Sequence, residues 1–189
     1  MDAAILVSAL GLVVATIGGS VALYNARKSV LWKRAELANS HLKELLTNDE
    51  LLFACRCLDW NGGILVVPES LRPLLKDPGE TITHDVGVYA TAMDPYLTLA
   101  EMAAEPRLQI YRTATDTLLG WLSATDSAID RKLYTPADIR EAGYWLGRVH
   151  RVPAVMAFID AFGYREPLDR LARQFGIDPP PLVTRAGGS

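Results

Sequence analysis

The hydrophobic pattern begins with a run that polar residues hardly interrupt. From Ala3 to Tyr24 (AAILVSALGLVVATIGGSVALY) no residue carries a charge. At about 1.5 Å per residue a helix of this length is roughly 33 Å long, enough to cross a hydrocarbon core of about 30 Å. Beyond it the pattern becomes amphipathic. Leu31, Ala35, Ala38, Leu42 and Leu45 alternate in spacing between four and three, which predicts a helix through Leu46 that packs on the chain's own domain. Asn48, followed by Asp49, Glu50 and an apolar run to Leu58, reads as the N-cap of the next helix. Asp59 to Gly63 reads as the turn that ends it.

Two short stretches have β character: Ile64 to Val67, closed by Pro68, and Thr81 to Thr83, beyond a loop containing Pro73 and Pro78. Two strands alone do not make a stable unit, so they predict a small hairpin leaning on helices. Helices follow at Val86 to Met93, at Tyr96 to Glu105 and, longest of all, at Pro106 to Leu133, with Leu108, Tyr111, Thr115, Leu118, Leu122 and Ile129 on one stripe. Thr135, Pro136, Ala137 and Asp138 spell a helix start, with Ile139, Ala142, Leu146 and Val149 facing inward. Pro153 opens another helix, with Val155, Phe158, Ile159 and Phe162 inward and Gly163 as its stop. Leu168, Leu171, Ala172 and Phe175 mark a last one, ended by Gly176. The expected fold is mainly α: a single N-terminal transmembrane helix (residues 1–25), a juxtamembrane amphipathic helix (26–46), a cytosolic helical domain with a small two-stranded insert (47–177) and a flexible tail (178–189).

Charge sets the expected topology. Only Met1 and Asp2 precede the apolar run. They supply none of the cations of a cleavable signal, and Tyr24 to Arg27 makes a poor cleavage site, so an uncleaved anchor is predicted. Arg27, Lys28, Lys33 and Arg34 follow it. By the positive-inside rule the N-terminus is outside and the C-terminal domain cytoplasmic, at the inner (cytoplasmic) membrane. These cations serve equally as topology determinants and as partners for anionic headgroups, with Trp32 as an interfacial anchor. Gly11, Ala15 and Gly19 recur every four residues and offer a close-packing face to another membrane protein or a second copy of this chain. A net charge of -3 over 189 residues leaves no basic field for nucleic acid. The 50% hydrophobic content excludes a disordered chain. Two cysteines, Cys55 and Cys57, make no disulfide framework and suit a reducing compartment.

Candidate chemistry is sparse. Residues two apart on a helix point roughly 200° from each other, so Cys55 and Cys57 cannot share an ion there and read as core thiols. His41, His84 and His150 are scattered. Glycine-rich phosphate loops, dinucleotide fingerprints, His-Glu-x-x-His and Gly-x-Ser-x-Gly are all absent. No catalytic residue, metal, cofactor or small-molecule substrate is therefore expected. Asp126 and Asp130, one turn apart, read as a solvated face beside Arg131 and Lys132. Arg148, His150 and Arg151 read as a cation group at a helix C-terminus, and His41 as a solvated residue. Trp60 and Trp121 are expected in the core, and Tyr144 and Trp145, beside an inferred buried face, form a candidate partner surface.

The uncharged N-terminal span, the basic helix after it, Leu58-Asp59-Trp60, the extended insert, Ile139 to Trp145 (IREAGYW) and Phe162-Gly163-Tyr164 together resemble an uncharacterised bacterial family of small membrane-anchored helical proteins of unknown function. The resemblance implies the topology and no catalytic residue. Two functions stay open. One is a non-enzymatic single-pass protein that serves as an accessory or scaffold subunit through its helical domain. The other is a membrane-tethered enzyme or toxin-like effector, which would need Asp126, Asp130, His84 or His150 to converge on one deep pocket.

Overall fold

The computed structural model describes residues 3–75 and 80–181, with side chains described from Thr16 onward. It is mainly helical, with one small antiparallel sheet. Helix α1 (Ala3–Thr47) is continuous and leads into α2 (Asp49–Asp59). Asn48 stands between them because its side-chain oxygen accepts from the N–H groups of Glu50 and Leu51, at 2.9 and 3.2 Å, and so restarts the helix in a new direction. Strands β1 (Gly63–Val66) and β2 (Thr81–His84) pair Ile64 with Thr83 and Leu65 with Ile82. Leu65 and Ile82 point into the core, while Ile64 and Val66 point out, so the hairpin leans on the helices as its alternation requires. Between the strands runs a 3-10 turn, Glu69–Leu74.

Helices α3 (Val86–Ala92) and α4 (Leu99–Ala104) precede α5 (Pro106–Asp130), the spine of the molecule. Ile110, Tyr111, Ala114, Leu118, Leu119 and Leu122 of α5 are completely buried, and large apolar side chains so placed each contribute about 1.5 to 3 kcal/mol. Helices α6 (Arg140–Val149), α7 (Pro153–Phe162) and α8 (Arg165–Gln174) close the core with Ile139, Ala142, Leu146, Ile159, Leu168 and Leu171, all inaccessible to solvent.

Among the described residues no helix is long and apolar enough to cross a membrane. The uncharged stretch with described side chains, Thr16 to Ala26, covers only about 16 Å, and the rest of the expected span, with Gly11 and Ala15, lies outside the described side chains. Gly19 has nothing within 4 Å of where a Cβ would stand. The seam on α1 docks only in its later turns: Ala38 and Leu45 are buried, but Leu31 and Ala35 are exposed. Helix α5 stops at Asp130 rather than Leu133, because Lys132 adopts φ 61° and the chain folds back. Pro136–Asp138 is a single 3-10 turn, and α6 starts only at Arg140, because Ile139 sits at φ −141°, ψ 54°. Tyr96 to Thr98 is not helical. Asp94 accepts from the Tyr96 N–H in a turn, and Thr98 caps the shorter α4 through Glu101. Phe162 and Trp60, expected in the core, are nearly half exposed. Of the tail, residues 182–189 lie outside the described residues.

Candidate functional site

Three places carry polar chemistry. The first is the junction of α1 with the domain. From Thr16 to Lys33 every residue of α1 is exposed, including Ile17, Val21, Leu23, Tyr24 and Trp32. The first side chain to engage the domain is Arg34. Its Nε donates to Asp138 Oδ2 at 2.8 Å and its Nη2 to Thr135 Oγ1 at 2.7 Å. Asp138 also accepts from the Thr135 hydroxyl and backbone N–H, at 2.6 and 2.8 Å. Those Thr135 bonds, with Arg34 adding to them, hold its carboxyl below the usual range. Of the four cations read as a juxtamembrane group, Arg27, Lys28 and Lys33 are exposed, and Arg34 is instead a clamp on the domain.

About two turns along α1 from Arg34, His41 lies flat on Trp121, with ring centroids 4.6 Å apart and planes within 6°. Thr125 Oγ1 donates to the Trp121 carbonyl, so it accepts from His41 Nε2–H at 2.9 Å. Burial pushes His41 below its ordinary pKa, against the pull of Glu44. This corrects the expectation of a solvated residue. Beside it a shallow cleft of about 440 Å³ is lined by Leu37 and Glu44 of α1 and by Ala124, Ala128, Leu133 and Tyr134.

The second place lies on α6. Tyr144 Oη donates to both carboxylate oxygens of Asp59, at 3.3 and 3.4 Å. Arg148 Nε lies 2.6 Å from Asp59 Oδ1, and its Nη2 donates to the Leu58 carbonyl at 2.8 Å. Arg148 is thus bound to the end of α2 rather than grouped with Arg151. Tyr144 is 56% exposed and meets the half-buried Trp145 edge-on, so of the candidate partner surface only Tyr144 is fully presented. A cleft of about 430 Å³ opens beside them, between α6 and Ile177 to Pro180. His150 faces it with both ring nitrogens lacking hydrogen-bond partners in the structure, and burial lowers its pKa.

The third is buried charge. Asp126 is completely inaccessible and accepts from Arg170 Nε at 2.9 Å and Nη2 at 2.6 Å. It ties α5 to α8 and is no solvated face. His84, also buried, donates from Nε2 to the Trp60 carbonyl and accepts at Nδ1 from the Tyr111 hydroxyl, both at 3.1 Å, with burial lowering its pKa. The hairpin is pinned to α5 through it. Cys55 and Cys57 are buried free thiols in α2, with burial raising the Cys55 pKa to about 12.

The fold therefore does not bring Asp126, His84 and His150 together in one pocket. Asp126 pairs with Arg170, His84 lies under the hairpin and His150 lines the α6 cleft. Among the described residues no group of three His, Cys, Asp or Glu is arranged to hold a metal ion. The clamp of Arg34 and the pairs Asp126–Arg170 and Asp59–Arg148 had no sequence signal, since each joins positions more than 40 residues apart. Only the Thr135/Asp138 turn was readable locally. Compared with known proteins, the chain matches no family model, no curated protein and no solved structure.

Proposed function

We propose that this protein is a single-pass membrane protein whose helical domain serves on the cytoplasmic side as an accessory or scaffold subunit, in keeping with the small membrane-anchored family its motifs resemble. The observation that carries this reading is α1. It runs unbroken from the uncharged stretch into the domain, and its described residues before Arg34 expose Ile17, Val21, Leu23, Tyr24, Val30, Leu31 and Trp32 in sequence. Such an exposed row of large apolar groups marks an interaction surface. The whole uncharged run from Ala3 to Tyr24, which takes in the first four of these residues, has the length of a bilayer crossing, and the cations after it give the orientation. The free thiols of Cys55 and Cys57 fit a reducing compartment. The other membrane contact proposed, with a second protein or copy, uses Gly11, Ala15 and Gly19.

Fractionation tests the reading. The full chain, expressed in bacteria with a reporter after Ser189, is expected in the membrane pellet after alkaline carbonate washing, with the reporter active in the cytosol. Recovery of the full-length chain in the soluble fraction without detergent would overturn it.

A further inference from the structure

The domain hangs from α1 in a defined direction, and that direction brings one loop back toward the N-terminal half of the helix. Arg34 binds Thr135 and Asp138, Leu37 faces Ala128 and Leu133 across the cleft, and His41 stacks on Trp121. Going down α1 thus means going back along α5, so the two helices are antiparallel. The connection after α5 points the way the uncharged run does. At its tip Arg131, Lys132 and Leu133 are all exposed, Leu133 at 43%. Lys132 is the single non-glycine residue with positive φ among the described residues, so the turn projects a cation where glycine is the usual choice.

From these placements we infer that the Arg131–Lys132 turn is a second contact with the membrane, facing the anionic headgroups of the bilayer that α1 crosses. The inference rests on the anchor reading above. Arg34 lies ten residues beyond Tyr24, or about 15 Å along the helix. The headgroup layer takes up roughly 6 Å of that distance. The remaining gap is about one Debye length at physiological salt, and an ordinary helix tilt of about 20° shortens it on one side. Arg27, Lys28 and Lys33 surround the same end, and with Arg131 and Lys132 they outnumber Glu36 and Asp130 there, in a chain whose net charge is -3. That concentration of cations complements an anionic lipid surface. Each basic side chain near such a surface favours contact by about fivefold, so the pair favours it by about thirtyfold. The turn would fix how the domain is tilted over the bilayer.

The test places a nitroxide on Leu133→Cys in the full chain, reconstituted into vesicles that carry nickel-chelating headgroups. A second label on Glu69→Cys reports the far end of the domain, where Ser70 bonds Glu50 beyond the C-terminus of α1. Cys55 and Cys57, both 4% exposed, stay unlabelled. In vesicles with about one-third phosphatidylglycerol, nickel is expected to relax the label at position 133 severalfold more than the one at 69. The excess should disappear in neutral phosphatidylcholine, at about 0.5 M salt and in Arg131→Glu/Lys132→Glu. The milder Arg131→Gln/Lys132→Gln pair should show an intermediate loss, and the comparison of lipids needs no variant at all. If the chain resists carbonate washing but position 133 is relaxed no more than 69, or equally in both lipids, the second contact is overturned while the anchor stands. If the chain washes off the vesicles, the anchor reading fails and this inference fails with it.

Discussion

Gly143 and Gly147 stand one turn apart on α6, yet they do opposite work. A Cβ at Gly143 would lie 2.8 Å from the Phe175 ring, whereas one at Gly147 would meet nothing within 4 Å. Glycine at 143 lets α8 approach; at 147 it only weakens the helix. Gly147→Ala is therefore expected to stabilise the full chain by about 0.5 to 1 kcal/mol. Gly143→Ala should destabilise it by about 1 to 3 kcal/mol through displacement of Phe175. Urea melts of the two variants beside the parent check the pair. At Asp126 the buried carboxylate is tolerated because two guanidinium nitrogens of Arg170 meet it. Asp126→Asn turns an amide N–H₂ toward those donors. Its melting temperature should fall further than that of Glu166→Gln, which removes only the exposed partner 3.5 Å from the same arginine.

Three helices end in the same way, and they show what a local signal can carry. After α7, α8 and α5 the N–H of the residue that follows the left-handed one returns to a carbonyl five residues back: Tyr164 to Ile159, Ile177 to Ala172 and Leu133 to Ala128. The left-handed residue is Gly163 or Gly176 in the first two and Lys132 in the third. Both glycine stops were legible in the sequence. The third was not, because lysine is a good helix former that gives no stop signal, and the apolar stripe ran on to Ile129 and Leu133. A side chain in the left-handed region costs about 1 kcal/mol. Lys132→Gly is accordingly expected to raise stability by up to about 1 kcal/mol, read by thermal melting, without changing the helical content. The entry angle of α1 depended on a similarly hidden term. Its seam looked continuous from Leu31 to Leu45, but the domain is shorter than the helix, so only Ala38 and Leu45 are buried.

Taken as a whole, the molecule keeps its three histidines where protonation is unfavourable. Burial is the largest cause lowering the pKa of His41, His84 and His150 from the ordinary 6.5. Above that value both folded and unfolded chains hold these rings neutral. Below it the unfolded chain takes up protons that the folded chain resists, so stability falls as pH drops. The urea midpoint of the full chain is expected to be flat from about pH 8 to 7 and to decline below 6.5. His41→Gln should reduce that decline, and since the His41 ring joins α1 to Trp121 and Tyr134 by stacking, a pH-independent loss of stability should accompany it.

The sequence by itself determined the helical class, the hairpin strands, most helix starts and the inward residues of α5 and α6, since periodicity and caps act within a turn or two of chain. It also showed where charge stops and apolar helix begins. The tertiary structure alone decided that Arg34 clamps the domain, that Asp126 is buried against Arg170, that Arg148 reaches Asp59 and that the histidines divide among three separate places. Those outcomes depend on side chains brought together across 40 to 100 residues. No window of sequence contains them, and only the packed fold turns each from a solvated group into a bond that holds two elements together, most completely at the inaccessible Asp126.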